Sequence, residues 1–293
     1  MNSSQNNDNS NFSFTRTSVL IIIFVLVLII FYVFNNKNKL ENYTLLDEKI
    51  SIDEKDNRYL TKFKPKIMTP LVSNNRITNS LKVKNDILII TFDNRTNQDY
   101  IKLHNENLEE YCKKWKFDYK FYDKCKQNVY WCKIYMVLDA LNNNKYDYVM
   151  WMDSDTYIFN MDIDLSDVLN EYHSDIYVGL DNHVKYDFIN AGVFIIKNSP
   201  IGRQYLEECI ASLNPSCVKS DGSLNGRWAG TCYEQGIMNI LIADKYKNYT
   251  TVLSNNILLN FGKCNNDVFI MHLYGSSNDT RTKCFNSKDK ALD

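Results

Sequence analysis

Two carboxylates separated by one residue, Asp153 and Asp155, follow directly after an apolar run at residues 148–152. Such a run is typical of a strand that is buried on both faces. A carboxylate beside a buried strand is costly to desolvate unless a cation or hydrogen-bond donors compensate its charge. Ligands of open α/β sheets bind just outside the carboxyl ends of the strands. The pattern therefore indicates a hard divalent cation open to a phosphate-bearing substrate, the alternative being a solvated acidic turn.

A histidine ends a second apolar run, since His272 follows residues 268–271. An imidazole beside carboxylates suits manganese better than calcium. We therefore predict that Asp153, Asp155 and His272 hold Mn²⁺, with Mg²⁺ as the other candidate ion. Substrate phosphates and water would complete the ligand shell. The alternative for His272 is a strand-end histidine that is hydrogen-bonded to the backbone.

Glycine is absent from the first 178 residues, because all 9 glycines lie at or beyond Gly179. That half of the chain therefore contains no glycine-rich phosphate loop of the Walker or dinucleotide type. A bound nucleotide would need a metal ion to hold its diphosphate. The formal net charge of -1 gives no indication of a nucleic-acid partner or of an acidic lipid surface.

Hydrophobic periodicity places these residues in an α/β fold. Strands are predicted at 87–92, 118–122 and 148–152, and helices at 100–115 and 131–141. This alternation is typical of a mostly parallel central sheet with right-handed crossovers and flanking helices. His104 lies on the apolar face of the first helix and is predicted to be a core residue.

The second half of the folded region has a different rhythm. Strands are predicted at 175–179, 188–196 and 268–271, and Gly192 should mark a bend or a close backbone approach to a ligand in the second of them. Ser199 and Pro200 are typical of a helix start. Residues 217–230 show no pattern and contain three glycines, so we expect a loop.

Five regions follow from the composition. They are a disordered tail at 1–17, an apolar membrane anchor at 18–34, a polar stem at 35–80, a folded domain at 81–275 and a C-terminal tail at 276–293. Without a small-residue cleavage site, the anchor is expected to remain uncleaved, as in a single-pass type II protein. Arg16 before the anchor and Lys37 and Lys39 after it leave the orientation open by the charge rule.

The chain has 8 cysteines and no Cys-x-x-Cys pair, so the sequence favours neither a zinc site nor a thioredoxin-like motif. An even number behind an anchor is compatible with disulfides in an oxidising lumen. The connectivity stays open. Cys112 and Cys209 lie on apolar helix faces and are predicted to be core residues.

Four stretches together make residues 81–275 resemble a GT-A glycosyltransferase, most closely glycosyltransferase family 34. They are Trp131-Cys132-Lys133-Ile134, the run from Tyr148 to Asp155, the run from Asn190 to Asn198, and Glu234-Gln235 followed by His272-Leu273-Tyr274-Gly275. The resemblance implies a GT-A type fold and a metal-dependent, retaining transferase. Its donor would be a UDP- or GDP-linked sugar and its acceptor a glycan or a protein. It also implies a lumenal catalytic domain on a Golgi or ER type membrane.

The resemblance also implies roles for individual residues. The predicted donor-binding residues are Thr91, Asp93, Lys133, Asp153, Ser154, Asn190, Ala191, Gly192 and Gly275. Plant members of the family carry Cys-Lys after His-x-x-Gly, with the lysine close to the diphosphate, whereas this chain has Ser276 and Ser277 there. Arg281 or Lys283 is the candidate to supply that charge.

Two interpretations compete for Glu234 and Gln235. Thr231 and Glu234 have the spacing of a capping box, which would make Glu234 a helix-start residue. The other interpretation, which we favour, places both residues in the donor-sugar pocket as catalytic residues. Gln235 would then stabilise an oxocarbenium-like state, and Glu234 would hold sugar hydroxyls.

Two further functions remain open at this point. One is a catalytically silent member of the family that binds a nucleotide sugar or a glycan without turnover. The other is an adhesion or scaffold domain whose Asp153-Ser154-Asp155 binds structural calcium, although calcium loops usually carry more acidic ligands close in sequence.

Overall fold

The computed structural model of the chain describes residues 84–181 and 188–287. The predicted tail at 1–17, the anchor at 18–34 and the stem at 35–80 lie outside the described residues. Within the two described ranges, no helix combines the length and the apolar character needed to cross a membrane.

Nine strands form two sheets in the described residues. They are β1 (Ile87–Phe92), β2 (Asp118–Tyr122), β3 (Tyr148–Met152), β4 (Thr156–Ile158), β5 (Ile176–Leu180), β6 (Ile189–Lys197), β7 (Thr250–Leu253), β8 (Leu258–Asn260) and β9 (Ile270–His272). The central sheet has six strands in the order β2-β1-β3-β6-β5-β7. Its pairs are parallel except for those of β6, which runs antiparallel to β3 and β5. The predicted α/β fold with a mostly parallel central sheet is confirmed.

Six α-helices accompany the sheets within residues 84–181 and 188–287. They are α1 (Asp99–Trp115), α2 (Cys132–Asn142), α3 (Leu165–Tyr172), α4 (Pro200–Ala211), α5 (Glu234–Leu241) and α6 (Asn278–Phe285). At the start of α4 the Ser199 side chain accepts a hydrogen bond from Gly202 N, as the Ser-Pro pair predicted. The sequence did not predict β4, β7, β8, α3 or α6, because these short elements, unlike the equally short β3 and β9, contain no run of four apolar residues that would mark them.

The second sheet has three strands in the order β4-β9-β8. β4 begins one residue after Asp155 and pairs antiparallel with β9, so that Thr156 lies opposite His272. β8 pairs parallel with β9 and places Asn260 opposite the same histidine. This small sheet therefore carries His272 to the end of β3.

Three disulfides join Cys125 to Cys132, Cys217 to Cys232 and Cys264 to Cys284. Cys112 and Cys209 are unpaired and buried, which confirms their assignment to the core. A three-residue 3-10 turn, Pro215–Cys217, ends at the first cysteine of the second disulfide, which encloses a bridge between Val218 and Leu224 in the segment predicted as a loop.

The predicted C-terminal tail at 276–293 needs correction, because residues Asn278–Phe285 form a helix that belongs to the folded body. Phe285 is fully buried and stacks on Tyr157, with ring centroids 4.7 Å apart. Cys284 is bonded to Cys264. The helix has only two apolar residues at its end, so no hydrophobic periodicity revealed it.

His104 joins α1 to the strands that position the acidic residues. Its ring is fully buried, with Nδ1 2.8 Å from the Thr156 carbonyl oxygen and Nε2 3.0 Å from Thr91 Oγ1. Burial lowers the pKa of His104 to about 4. The prediction that His104 is a core residue is confirmed.

We predict that His104 makes the fold weaker in acid. In the unfolded state His104 has a pKa of 6.5 and takes up a proton below that pH. In the folded state its pKa is about 4, so it stays neutral until the pH falls to that value. The stability due to neutral His104 is therefore complete above 6.5 and lost as the pH falls to about 4. The free energies of unfolding of the wild type and of His104→Gln can be measured with urea. The difference between them should shrink by roughly 3 kcal/mol over this pH range.

The control is His173→Asn, which changes a histidine that is exposed. This variant should keep the wild-type dependence of unfolding free energy on pH. A His104→Gln variant with the same pH dependence as the wild type would show that His104 is not kept neutral by the fold.

Candidate functional site

The structure brings Asp153, Asp155 and His272 together at the carboxyl end of β3. One ligand atom from each of them lies within 4.8 Å of the others. His272 Nε2 is 3.1 Å from Asp155 Oδ1 and 4.0 Å from Asp153 Oδ2. Two carboxylates and one imidazole are a ligand set that suits a divalent transition metal.

Asn260 fixes the orientation of the His272 ring. The Asn260 side-chain nitrogen donates to the Leu180 carbonyl oxygen at 2.9 Å, so its side-chain oxygen must accept. That oxygen lies 2.9 Å from His272 Nδ1, which therefore carries the hydrogen. In the neutral ring, the lone pair of Nε2 then faces the carboxylates, as in metal-binding histidines. The alternative of a histidine bonded to the backbone is not what the structure shows.

Each carboxylate already has a cationic partner. Lys133 Nζ lies 3.0 Å from Asp153 Oδ1, and Arg281 Nη2 lies 2.6 Å from Asp155 Oδ2. Burial by itself would raise the pKa of Asp155, but His272 and Arg281 lower it overall. Asp155 is therefore held in the ionised form that a metal ion requires.

Lys133 is a buried cation shared by two acids. Its ammonium group also lies 3.2 Å from Glu234 Oε1 and 3.1 Å from the Ala191 carbonyl oxygen. Burial alone would lower the pKa of Lys133, but the charges of Asp153 and Glu234 raise it overall. The lysine thereby places the Glu234 carboxylate in the same cluster as Asp153.

One oxygen of Glu234 has no partner in the described part of the chain. Oε2 is buried without a hydrogen bond, whereas Oε1 faces Lys133. Burial raises the pKa of Glu234, and Lys133 opposes part of that rise. A buried, unsatisfied carboxylate oxygen is costly, and sites of this kind are often completed by a ligand.

The capping-box interpretation is wrong for this helix. α5 begins at Glu234, its N-cap residue is Tyr233, and no side chain caps it. Thr231 therefore lies outside the helix, and Glu234 pairs with Lys133 instead of with the Thr231 backbone.

Gln235 has a different position from the one predicted. Its side-chain oxygen accepts a hydrogen bond from Ala191 N at 2.9 Å, so the carbonyl is engaged with the protein and not free for a sugar ring. This contact belongs to an interruption in the pairing of β5 with β6. The register passes from Val178 opposite Phe194 to Gly179 opposite Asn190, which leaves residues 191–193 of β6 without partners on β5.

Side chains of the site replace the missing backbone partners. Besides Gln235 and Lys133, Asn190 Oδ1 accepts from Gly192 N at 2.8 Å, while the Gly192 carbonyl accepts from Asp153 N at 2.7 Å. Buried backbone groups must be paired, and here the predicted donor-site residues pair them. The bend predicted at Gly192 corresponds to this interruption.

Gly192 leaves room for His272. A Cβ atom at this position would lie inside the van der Waals radii of three atoms of the His272 ring. Gly179 plays the same part for Asn260, whose side-chain nitrogen a Cβ atom would meet. The close approach at Gly192 was predicted for a ligand, whereas the neighbour in the structure is the His272 side chain.

A fourth acidic residue, Asp93, lies next to the cluster at the end of β1. Asp93 accepts two hydrogen bonds from the Arg95 guanidinium, at 2.9 and 2.7 Å, and one from the Ser154 hydroxyl. Burial would raise the pKa of Asp93, but Arg95 and Ser154 lower it overall. The predicted residues Asp93 and Ser154 are therefore hydrogen-bonded to each other, and Ser154 follows Asp153 directly in the chain.

Two predicted donor-binding residues stand apart from this cluster. Thr91 is fully buried, and its hydroxyl group contacts the Met152 carbonyl oxygen and His104. These contacts make it a support beneath β3. Gly275 is exposed with a φ of 69°, which suits glycine in a turn, and a Cβ atom there would meet nothing.

Two site residues, Trp151 and Asn260, were missing from the predicted set, and a third was named only as a candidate. Arg281 was one of two candidates for a diphosphate cation, and the other, Lys283, pairs with exposed Asp279. Trp151 donates from Nε1 to Asp153 Oδ1 at 2.6 Å, and its spacing of two residues along a strand could have revealed it. Asn260 gave no signal in the sequence.

Comparison with known proteins identifies the family. Residues 82–285 match the nucleotide-diphospho-sugar transferase family. The chain belongs to this family. No curated protein sequence matches it significantly.

Solved structures show the same kind of fold. The chain is similar to a glycosyltransferase involved in the glycosylation of the major capsid of PBCV-1, with a TM-score of 0.52 at 15% identity over 69% of this chain and 98% of that chain. The glycosyltransferase GlyE of Streptococcus pneumoniae TIGR4 aligns with a TM-score of 0.44 at 14% identity, over 71% of this chain and 62% of that one. At 15% identity the likeness to the first of these structures concerns the fold alone.

We predict that Gly192→Ala destabilises the protein by about 1–3 kcal/mol through the clash with the His272 ring. His272→Ala removes that ring, so the double variant should lose less stability than the sum of the two single changes. Denaturant unfolding of the four proteins gives the coupling energy directly. Strict additivity would show that the Gly192 backbone does not hold the ring in place.

Proposed function

We propose that the chain is a glycosyltransferase that moves a sugar from a nucleotide-diphosphate donor to a hydroxyl group of a glycan or a protein. The observation that carries the proposal is the cluster of Asp153, Asp155 and His272 in a chain of the nucleotide-diphospho-sugar transferase family. We further propose that the cluster binds Mn²⁺ or Mg²⁺.

The charges of the site support joint binding of a metal and a diphosphate. Asp153, Asp155 and Glu234 carry three negative charges and Lys133 and Arg281 two positive ones, which leaves a net charge of -1 when all are ionised. A divalent cation alone would make the site positive, and a diphosphate alone would make it more negative. Together they add two charges of each sign, so the site is most easily filled by both at once.

The residues of the chain divide the work as follows. Asp153, Asp155 and the Nε2 atom of His272 would hold the ion, which when bound supplies charge neutralisation for the leaving diphosphate. Arg281 lies against Asp155 and provides a second cation beside the same position. Asn260 keeps His272 in the tautomer that can bind a cation.

Glu234 is the residue we place at the transferred sugar. Its free oxygen, Oε2, is buried, and its other oxygen is held by Lys133. Such a carboxylate can accept a sugar hydroxyl group, or face the positive charge that develops on the sugar ring as the donor bond breaks. Gln235 then acts indirectly, by fixing the backbone at Ala191.

The finer assignments are also part of the proposal. The four sequence stretches support membership of glycosyltransferase family 34, a retaining mechanism and a UDP- or GDP-linked donor. The apolar run at 18–34 supports a single-pass anchor, and three disulfides support an oxidising lumen of the Golgi or ER type.

A second candidate is a silent domain that binds a nucleotide sugar or a glycan without turnover. One observation favours it, because Lys133 and Arg281 already compensate the two carboxylates without an added cation. The two functions differ in whether nucleotide is released from the donor, so a turnover assay separates them.

We predict that the wild type binds Mn²⁺ and releases nucleotide diphosphate from one of a panel of sugar nucleotides. Asp155→Asn should weaken Mn²⁺ binding at least about tenfold, because the ion loses a charged ligand and Arg281 loses its partner. Calorimetric titration measures the binding independently of turnover. Nucleotide release should fall in parallel.

The matched control is Asp162→Asn, which changes an exposed aspartate that also pairs with a basic residue, Lys114. It should leave both measurements unchanged. An unaltered Mn²⁺ affinity in Asp155→Asn would contradict the proposed metal site. Mn²⁺ binding without nucleotide release from any donor would favour the silent domain.

We predict that Glu234→Gln lowers turnover by about an order of magnitude or more, since a neutral amide cannot balance positive charge on the sugar ring. Lys133 keeps Asp153 as a partner in this variant, so Mn²⁺ affinity should stay close to that of the wild type. The readout is kcat for nucleotide release together with the melting temperature.

Glu208→Gln serves as its control, because Glu208 is also a partly buried helix glutamate paired with a lysine, Lys245. Its turnover should equal that of the wild type. If the two variants lose stability alike and keep full turnover, Glu234 has no place in the sugar pocket.

A further inference from the structure

Three aromatic rings pack together at the surface and form what we call the aromatic cluster, made of Tyr130, Trp228 and Tyr233. Their ring centroids are 5.1 Å apart for Tyr130 and Trp228, 5.2 Å for Tyr130 and Tyr233, and 5.1 Å for Trp228 and Tyr233. The two tyrosines are partly buried, whereas Trp228 is 60% exposed. The tyrosines thus support a tryptophan whose ring is largely open to solvent.

Exposed apolar side chains are frequent in the two loops that carry Tyr130 and Trp228. The large hydrophobic residues most exposed in the described ranges are Val129, Val218, Trp228 and Tyr249. Three of these four lie in the two disulfide-closed loops, 125–132 and 217–232. Apolar surface that is gathered in one place, and not scattered, indicates a binding surface.

The two loops are fastened to each other as well as closed by their disulfides. Asn128 donates from its side chain to the Gly222 carbonyl oxygen at 2.7 Å. Buried Trp131 donates from Nε1 to the Cys232 carbonyl oxygen at 3.1 Å. The cluster is therefore held in place before any ligand arrives, which lowers the entropic cost of binding.

The cluster is continuous with the proposed sugar pocket. Tyr233 immediately precedes Glu234 and is the N-cap residue of α5. Tyr130 stands three residues before Lys133, the partner of Glu234. Burial raises the pKa of Tyr130, with smaller effects of Tyr233, Glu234 and Lys133, so its hydroxyl group lies within electrostatic reach of the site.

We propose that the aromatic cluster binds the acceptor saccharide, with a sugar ring stacked on Trp228. Sugar rings have one face lined by C–H groups, which packs against an aromatic ring, and an edge of hydroxyl groups that hydrogen bonds reach. Tyrosine and tryptophan offer both surfaces, because each has an apolar ring and a polar group. This inference rests on the proposed function, since it names the group that receives the transferred sugar.

A nucleobase could also stack on an exposed tryptophan. The links of the cluster, however, are to Glu234 and Lys133, the residues that we place at the transferred sugar. The acceptor must lie next to the transferred sugar, because its hydroxyl group forms the new bond to that sugar. We therefore assign the cluster to the acceptor and treat the nucleobase as an outcome of the test.

The test compares Trp228→Ala and Trp228→Phe with the wild type. The probes are cellobiose, maltose, lactose and mannobiose, titrated one at a time with saturation-transfer NMR as the readout. At least one should bind the wild type, with Kd raised about tenfold or more by Trp228→Ala and less by Trp228→Phe, which keeps an aromatic ring. The control Tyr249→Ala removes an aromatic residue that is 41% exposed elsewhere and should bind as the wild type does.

Two results would overturn the proposal. One is that none of the four saccharides binds the wild type, or that Trp228→Ala binds them equally well while its melting temperature is unchanged. The other is a raised KM of Trp228→Ala for sugar-nucleotide hydrolysis with saccharide binding kept, which would place a nucleobase on the cluster.

A parallel assay separates this proposal from the proposed function. Nucleotide release from UDP-glucose, UDP-galactose, UDP-xylose and GDP-mannose, without saccharide, reports on the donor site alone. Nucleotide release by the wild type without any Trp228-dependent saccharide binding would contradict only the assignment of the aromatic cluster to the acceptor. Saccharide binding that depends on Trp228, with no nucleotide release from any donor, would contradict the proposed transferase activity and leave the assignment of the aromatic cluster intact.

Discussion

A buried lysine ammonium group holds the site together. Lys133 extends from α2 and contacts a carboxylate after β3, a backbone carbonyl in β6 and a carboxylate at the start of α5. A charge removed from water must be compensated, so these partners cannot drift apart without a large cost. The arrangement of Asp153, Ala191 and Glu234 therefore depends on one side chain.

The interruption in β6 follows from the same constraint. Where β6 loses its pairing with β5, its carbonyl groups accept hydrogen bonds from Lys133 and the Asp153 backbone, and its N–H groups donate to the side chains of Asn190 and Gln235. Small residues are needed there, because a side chain at position 192 would meet the His272 ring. The interruption is therefore part of the site, because β6 backbone groups that would otherwise pair with β5 are hydrogen-bonded to side chains of the site.

The small sheet and α6 supply the other half of the site. Antiparallel pairing of β4 with β9 sets His272 beside Asp155, and the parallel strand β8 adds Asn260. Arg281 comes from α6, which a disulfide and the buried Phe285 fasten to the body. Proposed metal ligands and the cations that balance them therefore come from elements far apart in the chain.

Much of this protein could be predicted from its sequence. The continuous apolar runs at β1 and β3 identified strands buried on both faces, and their alternation with helices identified a mostly parallel sheet. Asp153 and Asp155 stood out because charge beside an apolar run requires compensation, whereas Lys133 and Glu234 were named from the resemblance to a glycosyltransferase family. His104, Cys112 and Cys209 were assigned to the core because each lies on an apolar helix face.

Only the tertiary structure decided which charges meet. Nothing in the order of residues pairs Arg281 with Asp155, or Lys133 with Glu234, because these contacts depend on how distant elements pack. Short elements such as β8 and α6 carry too few apolar residues to be recognised locally, so Asn260 and the helix after residue 277 were missed. The sequence alone determined the residue types and the strands that carry them, since hydrophobic periodicity is a local property. Pairing, register and the position of Gln235 were decided by the folded structure, because backbone and charged groups must find partners across the whole molecule.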